Sequence, residues 1–196
     1  MALKIISGTA RGIVLSTPDG RSMRPTSGRA REALFSSLGD LTGKRFADIF
    51  AGSGAIGLEA ASRGAASVLL LESNARHVNF IEQNIAKLQR SNTDCNITVL
   101  KRKFSISTLQ ALPRADIWFF DPPYAESAEF FKEIASHAEM LGHVWGETLL
   151  IWEMPDTAEA RAPFQHVLSS AGSHLECNLK NLGGNDFLFC RIKVNL

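Results

Sequence analysis

From residue 45 onward the chain alternates short apolar runs with segments of helical spacing. The runs are Phe46–Phe50, Val68–Leu71, Ile97–Leu100, Ile117–Phe120 and Leu149–Trp152, and the intervening segments cover 55–63, 74–89, 105–112 and 127–141. Within the second segment Val78, Ile81, Ile85 and Leu88 recur at the period of one helix face. A strand that is apolar at every position is buried on both faces. Strands separated by helices must run parallel, because each helix carries the chain back across the sheet. The pattern therefore predicts an α/β fold, a doubly wound and mostly parallel sheet. The tail breaks the alternation: Leu175–Leu182 and Phe187–Val194 flank Gly183-Gly184 with no helix between them, a hairpin signal. That hairpin brings the sheet to seven strands. If the two glycines form its turn, Glu176 faces Arg191 and Cys177 faces Cys190, and the cysteines are expected to pack as two small apolar residues.

The first 40 residues read differently from residues 41–196. Two apolar stretches, 3–6 and 13–17, are joined by Ser7-Gly8-Thr9-Ala10-Arg11-Gly12, a small hairpin or extended arm. After a polar loop, Thr26 or Ser27 can cap a helix over 28–38 with Ala30, Ala33, Leu34 and Leu38 on its apolar face, and Gly39 ends it. Net charge over all 196 residues is only +1. Residues 1–31, however, hold Lys4, Arg11, Arg21, Arg24, Arg29 and Arg31 against Asp19, a balance of +5, and the remaining 165 residues carry −4. A cationic extension on a slightly acidic body suits one face meeting a polyanion while the rest does other work.

Apolar residues are 45% and charged residues 21% of the composition, which excludes a disordered chain, a fibre and a coiled coil. No apolar stretch approaches the ~18 residues needed to span a bilayer, so no membrane partner is expected. The opening Met1 to Gly8 has no long apolar core, which predicts a chain that stays in the cytoplasm. Cys95, Cys177 and Cys190 are too few and too scattered for a disulfide framework or a four-ligand metal site, and the five histidines have no metal-ligand spacing.

The first apolar run leads into Asp48-Ile49-Phe50-Ala51-Gly52-Ser53-Gly54-Ala55-Ile56-Gly57, a strand, a glycine-rich turn and a helix start. Gly52 and Gly54 let the backbone turn sharply and approach a ligand, and Gly57 lets the helix pack closely on the strand. Glu72 ends the second run, where a carboxylate can accept both hydroxyls of a ribose. Together these residues indicate an adenosine-containing cofactor. Glycine spacing does not choose between a dinucleotide and S-adenosylmethionine. Asp48, inside the strand end, favours the second, because its carboxylate can reach an amino group while the helix N-terminus at Ser53–Ile56 meets a carboxylate.

Asp121-Pro122-Pro123-Tyr124 follows the fourth run directly, at the strand end where open α/β sheets hold ligands. Two prolines fix the path, so Asp121 offers a carboxylate, Pro122 a carbonyl free of the ladder and Tyr124 a flat ring. These groups suit an exocyclic amine on a planar base. Accepting its two N–H bonds localises the nitrogen lone pair and makes it nucleophilic towards a sulfonium methyl, and Tyr124 stacks on the base. The constellation, over residues 45–154, resembles the amino-methyltransferase class of S-adenosylmethionine-dependent enzymes. A dehydrogenase would share the glycine loop but leave Asp121–Tyr124 unexplained.

Arg24-Pro25-Thr26-Ser27-Gly28-Arg29-Ala30-Arg31-Glu32-Ala33-Leu34-Phe35, with Ile6 to Gly12 before it, resembles the opening motif of the bacterial small-subunit ribosomal RNA guanine-N2 methyltransferases, the RsmD family. The resemblance implies a Rossmann-like class I fold. It also implies a monomeric cytoplasmic enzyme that uses S-adenosylmethionine and no metal to methylate one guanine of 16S rRNA in the 30S particle or an assembly intermediate. By the same resemblance Arg24, Pro25 and Thr26 border the cofactor and base pocket, with Arg29 and Arg31 nearby. Two positions depart from the family pattern. Gly28 stands where an acid is common, and Lys101-Arg102-Lys103-Phe104 stands where an aspartate often meets the adenine amine, which leaves the flanking backbone and Phe104 to hold the adenine. The same tetrapeptide chemistry serves adenine in DNA and glutamine in release factors, and a non-catalytic RNA-binding assembly factor would keep the same fold.

Overall fold

The apolar runs are strands in the computed structural model, which describes residues 2–18, 26–91, 93–145, 148–169 and 174–193. They are β1 (Arg45–Ile49), β2 (Ser67–Glu72), β3 (Asn96–Lys101), β4 (Ile117–Phe120) and β5 (Leu149–Pro155), followed by the hairpin β6 (Leu175–Leu182) and β7 (Asn185–Ile192). One seven-stranded sheet results, in the order β3-β2-β1-β4-β5-β7-β6. Pairing is parallel through β5 and antiparallel for β7 with both β5 and β6. The order reverses between β1 and β4, so the carboxyl ends of these two strands flank the crevice of the sheet.

Successive strand residues point to opposite faces, and each face has its own core. Phe46, Val68, Leu70 and Phe119 lie under α1 (Gly28–Leu38), α2 (Ala55–Ser62), α3 (Ala75–Leu88) and the N-terminal arm. Ala47, Leu69, Trp118, Phe120 and Trp152 lie under α4 (Ile106–Gln110), α5 (Tyr124–Ser136), α6 (Ala138–Trp145) and α7 (Ala158–Ser169). No helix among the described residues is long and apolar enough to cross a membrane.

Ser27 caps α1 by accepting from the Ala30 N–H at 3.1 Å, and Gly39 ends the helix with φ 74°. The single helix expected over 127–141 is two. Ser136 Oγ and His137 Nδ1 both bond the Glu133 carbonyl, so the chain turns at His137 before α6 starts. Helix α7 has no counterpart in the sequence pattern, because Pro163 inside it removes a helical N–H. Tertiary burial of Ala160 and Phe164, with Thr157 accepting from the Ala160 N–H, holds it together.

The terminal hairpin has the expected register, Glu176 opposite Arg191 and Cys177 opposite Cys190. The expectation that the cysteines only pack is corrected: Cys177 and Cys190 form a disulfide, their Cα atoms 4.0 Å apart across the ladder. Directly opposed antiparallel residues bring their side chains within bonding reach.

The N-terminal arm is a hairpin, with Ile5 N donating to Ile13 O and Leu15 N to Leu3 O. It is fastened to the helices that cover the sheet. Glu59 of α2 accepts from Ile6 N at 2.8 Å and Ser7 N at 3.0 Å, and Thr9 N donates to Ser62 O at 2.8 Å. A Cβ at Gly8 would stand 1.7 Å from that Ser62 oxygen, so only glycine permits the approach. Asn84 of α3 then joins arm to glycine loop: its amide donates to Ser16 O and Ser53 O while its oxygen accepts from Ser16 N.

Candidate active site

The loop after β1 is bent by left-handed backbone at Phe50 (φ 75°), Gly52 (φ 56°) and Gly54 (φ 79°). For phenylalanine this conformation is strained, and such strain persists only where the surroundings over-determine it. Here the N–H groups of Phe50 and Ala51 both donate to Leu71 O, at 3.1 and 3.0 Å. Gly54 lies at the N-cap of α2, and Gly57 sits where a Cβ would be 2.3 Å from Leu70 Cδ2. The third glycine thus does what the spacing implied and lets α2 lie against β2.

Acidic side chains gather at the carboxyl ends of the central strands. Glu72, nearly buried, accepts from Gly52 N and Asn74 N, both at 2.8 Å, and so ties the glycine loop to the start of α3. Asp48 is buried and accepts from Gly57 N at 2.9 Å. Burial, with repulsion from Glu72 and Glu153, pushes Asp48 up to about 7 against the lowering effect of that N–H. Asp121 is raised well above the carboxylate range, first by burial and then by Glu153 and Asp48. Glu153 is raised by its own burial. Among the described residues no lysine, arginine or histidine forms an ion pair with Asp48, Asp121 or Glu153. Two buried acids, Asp48 and Glu153, and the half-buried Asp121, none with a cation, form a site suited to a positively charged ligand.

A pH dependence follows. Between about pH 4 and pH 7 the folded chain keeps a proton on Asp48 that the unfolded chain has released, so stability falls as pH rises through that window. The full effect of Asp48 is roughly 4 kcal/mol. Asp121 and Glu153 act in the same direction, whereas Asp116, held at about 2 by Arg45, acts only in more acid solution. Thermal melts of the ligand-free protein should show a falling midpoint from pH 5 to pH 8. A midpoint that rose would contradict the elevated carboxyl groups.

Beside Glu72 lies a cleft walled by aromatic rings. Phe50 stacks on Phe104 with centroids 5.2 Å apart, and Phe130 of α5 lies 4.7 Å from Phe104 and 5.5 Å from Phe50. Leu71, Ser73, Arg102, Lys103, Pro123 and Glu126 complete the lining. The Lys101-Arg102-Lys103 triplet is exposed at its rim, and Phe104 is buried in its wall.

Asp121, Pro122 and Pro123 leave β4 beside this cleft, and Tyr124 opens α5 with 59% of its surface exposed. Thr26 is buried and donates its hydroxyl to Glu153 Oε2 at 2.6 Å. Arg29 is exposed in the first turn of α1. Arg24 and Pro25 lie outside the described residues. Arg31 departs from expectation. It is 1% exposed, donates to Lys4 O and lies 3.8 Å from Glu59, so it cannot meet RNA from the surface. At four residues from Ser27 it falls on the inward face of α1, where Glu59 supplies the counter-charge.

Structure thus brings Asp48, Gly52, Ser53, Gly54, Gly57, Glu72, Phe104 and Asp121 to one edge of the sheet, with Pro122, Tyr124 and Thr26 next to it. Sequence reasoning missed Glu153, although a lone acid in the apolar run Leu149–Met154 was a usable signal. It also missed Phe50 and Phe130, whose ring contacts no spacing reveals.

The family model described as Conserved hypothetical protein 95 matches residues 3–167. Ribosomal RNA small subunit methyltransferase D of Escherichia coli (strain K12) is 37% identical over 123 residues, 62% of this chain and 60% of that protein. The match therefore spans about three fifths of that relative's length. Among solved structures, a conserved hypothetical protein of Streptococcus pyogenes superposes with a TM-score of 0.62 at 27% identity, covering 83% of this chain and 94% of that one. Precorrin-6y C5,15-methyltransferase of Geobacter metallireducens superposes with a TM-score of 0.64 at 18% identity, covering 91% and 94%. At that identity the likeness concerns the fold alone.

Proposed function

Since this chain belongs to the Conserved hypothetical protein 95 family, we propose that it is an S-adenosylmethionine-dependent methyltransferase acting on the exocyclic N2 amine of a guanine in small-subunit ribosomal RNA. The 30S particle or an assembly intermediate in the cytoplasm is the substrate. The carrying observation is one juxtaposition: the half-buried Asp121 carboxylate stands at the sheet edge that also holds the glycine loop, Asp48 and Glu72, with an aromatic ring exposed at Tyr124.

S-adenosylmethionine fits the unpaired acids, since it carries an ammonium group and a sulfonium centre, and when bound it supplies an electrophilic methyl group. Asp48 would hold the ammonium group. The N–H groups at Ser53–Ile56 would meet the carboxylate, Glu72 the ribose hydroxyls, and Phe104 with Phe50 and Phe130 the adenine face. Asp121 and the Pro122 carbonyl would accept the two N–H bonds of the guanine amine and localise its lone pair. Tyr124 would stack on the base. Because burial raises the proton affinity of Asp121, the same carboxylate is placed to take the proton that the nitrogen releases.

The test offers tritiated S-adenosylmethionine with 30S particles, naked 16S rRNA, duplex DNA and release factor in parallel, followed by nucleoside and amino-acid analysis. Label is expected in N2-methylguanosine from ribosomal RNA. Label in adenine or glutamine would overturn the substrate, and binding of RNA without any transfer would indicate an assembly factor. NAD binding in place of S-adenosylmethionine would indicate a dehydrogenase. Arg29, exposed at the start of α1, is a phosphate-contact candidate. Arg29→Ala should weaken RNA binding evenly across sequences and reduce the salt slope by about 1. An unchanged slope would remove that helix end from the interface.

A further inference from the structure

Glu153 is the one charged residue of β5, flanked by Ile151, Trp152 and Met154, all buried, and it is itself 6% exposed. A buried carboxylate with no ion pair among the described residues is a poor way to stabilise a strand, since an apolar residue of similar volume avoids the desolvation. Its contacts indicate another use. Oε2 accepts the Thr26 hydroxyl at 2.6 Å, and Oε1 accepts from the Asn185 amide of β7. The last paired rung between β4 and β5 is Phe120 with Trp152. Asp121 and Glu153 are thus the next residues on adjacent strands.

Thr26 is the residue before Ser27, the cap of α1, so a bond to Thr26 fixes where the arm meets the sheet. We propose that Glu153 is a positioning residue for methyl transfer: by gripping Thr26 with one carboxylate oxygen and Asn185 with the other, it holds the substrate-facing arm against the strand edge that carries Asp121. This rests on the reading of Asp121 as the group that receives the amine. Glu153 touches neither the cofactor nor the amine in this account. It sets the distance between the arm that presents the base and the loop that receives it, a geometry to which rates are steeply sensitive.

The test compares Glu153→Ala, Glu153→Gln, Thr26→Val and the double variant Thr26→Val/Glu153→Ala in tritium transfer to 30S particles. S-adenosylmethionine affinity and melting midpoint are measured alongside. Glu153→Ala and Thr26→Val should each lower kcat/KM for the particle by roughly tenfold or more, the loss expected for one buried bond to a charged group. Affinity for S-adenosylmethionine should stay within about twofold in Thr26→Val, which keeps all the acids, and should fall equally in Glu153→Ala and Glu153→Gln, which both remove one negative charge near Asp48. Glu153→Gln keeps an oxygen for Thr26 and should recover most of the rate. The double variant should be no worse than Glu153→Ala, because both changes remove the same contact. Full kcat/KM in folded Glu153→Ala, or multiplying losses, or cofactor affinity falling in parallel with the rate in Thr26→Val, would overturn the proposal. Thr26→Val and Glu153→Gln decide the matter if Glu153→Ala does not fold. Absence of transfer by the wild-type protein would instead overturn the methyltransferase reading itself.

Discussion

Asp121→Ala should lower methyl transfer by about two to three orders of magnitude while leaving S-adenosylmethionine affinity within about tenfold. The asymmetry follows from where the carboxylate stands. Asp121 follows β4, while the polar residues placed to hold the cofactor lie at the ends of β1 and β2 and in the glycine loop. Removing it deletes the acceptor that localises the amine lone pair and the base that takes its proton, both of which act during reaction. Asp121→Asn keeps an oxygen acceptor but not the proton affinity, so it should sit between wild type and Asp121→Ala. Initial rates with tritiated cofactor and equilibrium dialysis separate the two effects. Turnover at the wild-type rate by Asp121→Ala would sink the assigned chemistry, whatever the binding result.

Glu59→Ala should destabilise the fold by about 3–5 kcal/mol, the range for breaking a buried ion pair from one side. Glu59 is fully buried on α2, where it accepts from Ile6 and Ser7 of the arm and pairs with Arg63 at 2.8 Å. It also neutralises Arg31, whose guanidinium burial pulls below the ordinary arginine range. Without Glu59 that guanidinium is a buried charge lacking its partner, and two backbone N–H groups lose their acceptor. Glu59→Gln retains an acceptor and should lose less. Urea unfolding monitored by tryptophan fluorescence measures both. A loss below about 1 kcal/mol for Glu59→Ala would show that water or backbone movement replaces the carboxylate.

These two residues also show what a sequence can and cannot disclose. Asp121 was legible because two prolines and a preceding apolar run fix its place at a strand end, a purely local matter. The same holds for Gly57, whose role is dictated by spacing from Gly52 and Gly54, and for the hairpin register set by Gly183-Gly184. Arg31 was misread because its charge is visible in the sequence while its neighbour Glu59, 28 positions away, is not. Glu153 went unnoticed for a related reason. Its partners Thr26 and Asn185 lie 127 and 32 residues distant, and no spacing in the sequence ties either of them to it. The Cys177–Cys190 pair falls between the two cases: local register placed the residues opposite each other, but their approach to bonding distance is a property of the folded ladder.

What the sequence determined by itself is therefore the parallel sheet, the glycine loop, the Asp121–Tyr124 turn and the capped helix after Ser27. All are written in periodicity, turn residues and caps, which act over a few positions. Tertiary structure alone decided which acids lose their solvent, which arginine is buried, and how the arm is fastened over the sheet edge. Those outcomes depend on desolvation and on partners far apart in the chain, and they exist only once both faces of the sheet are covered.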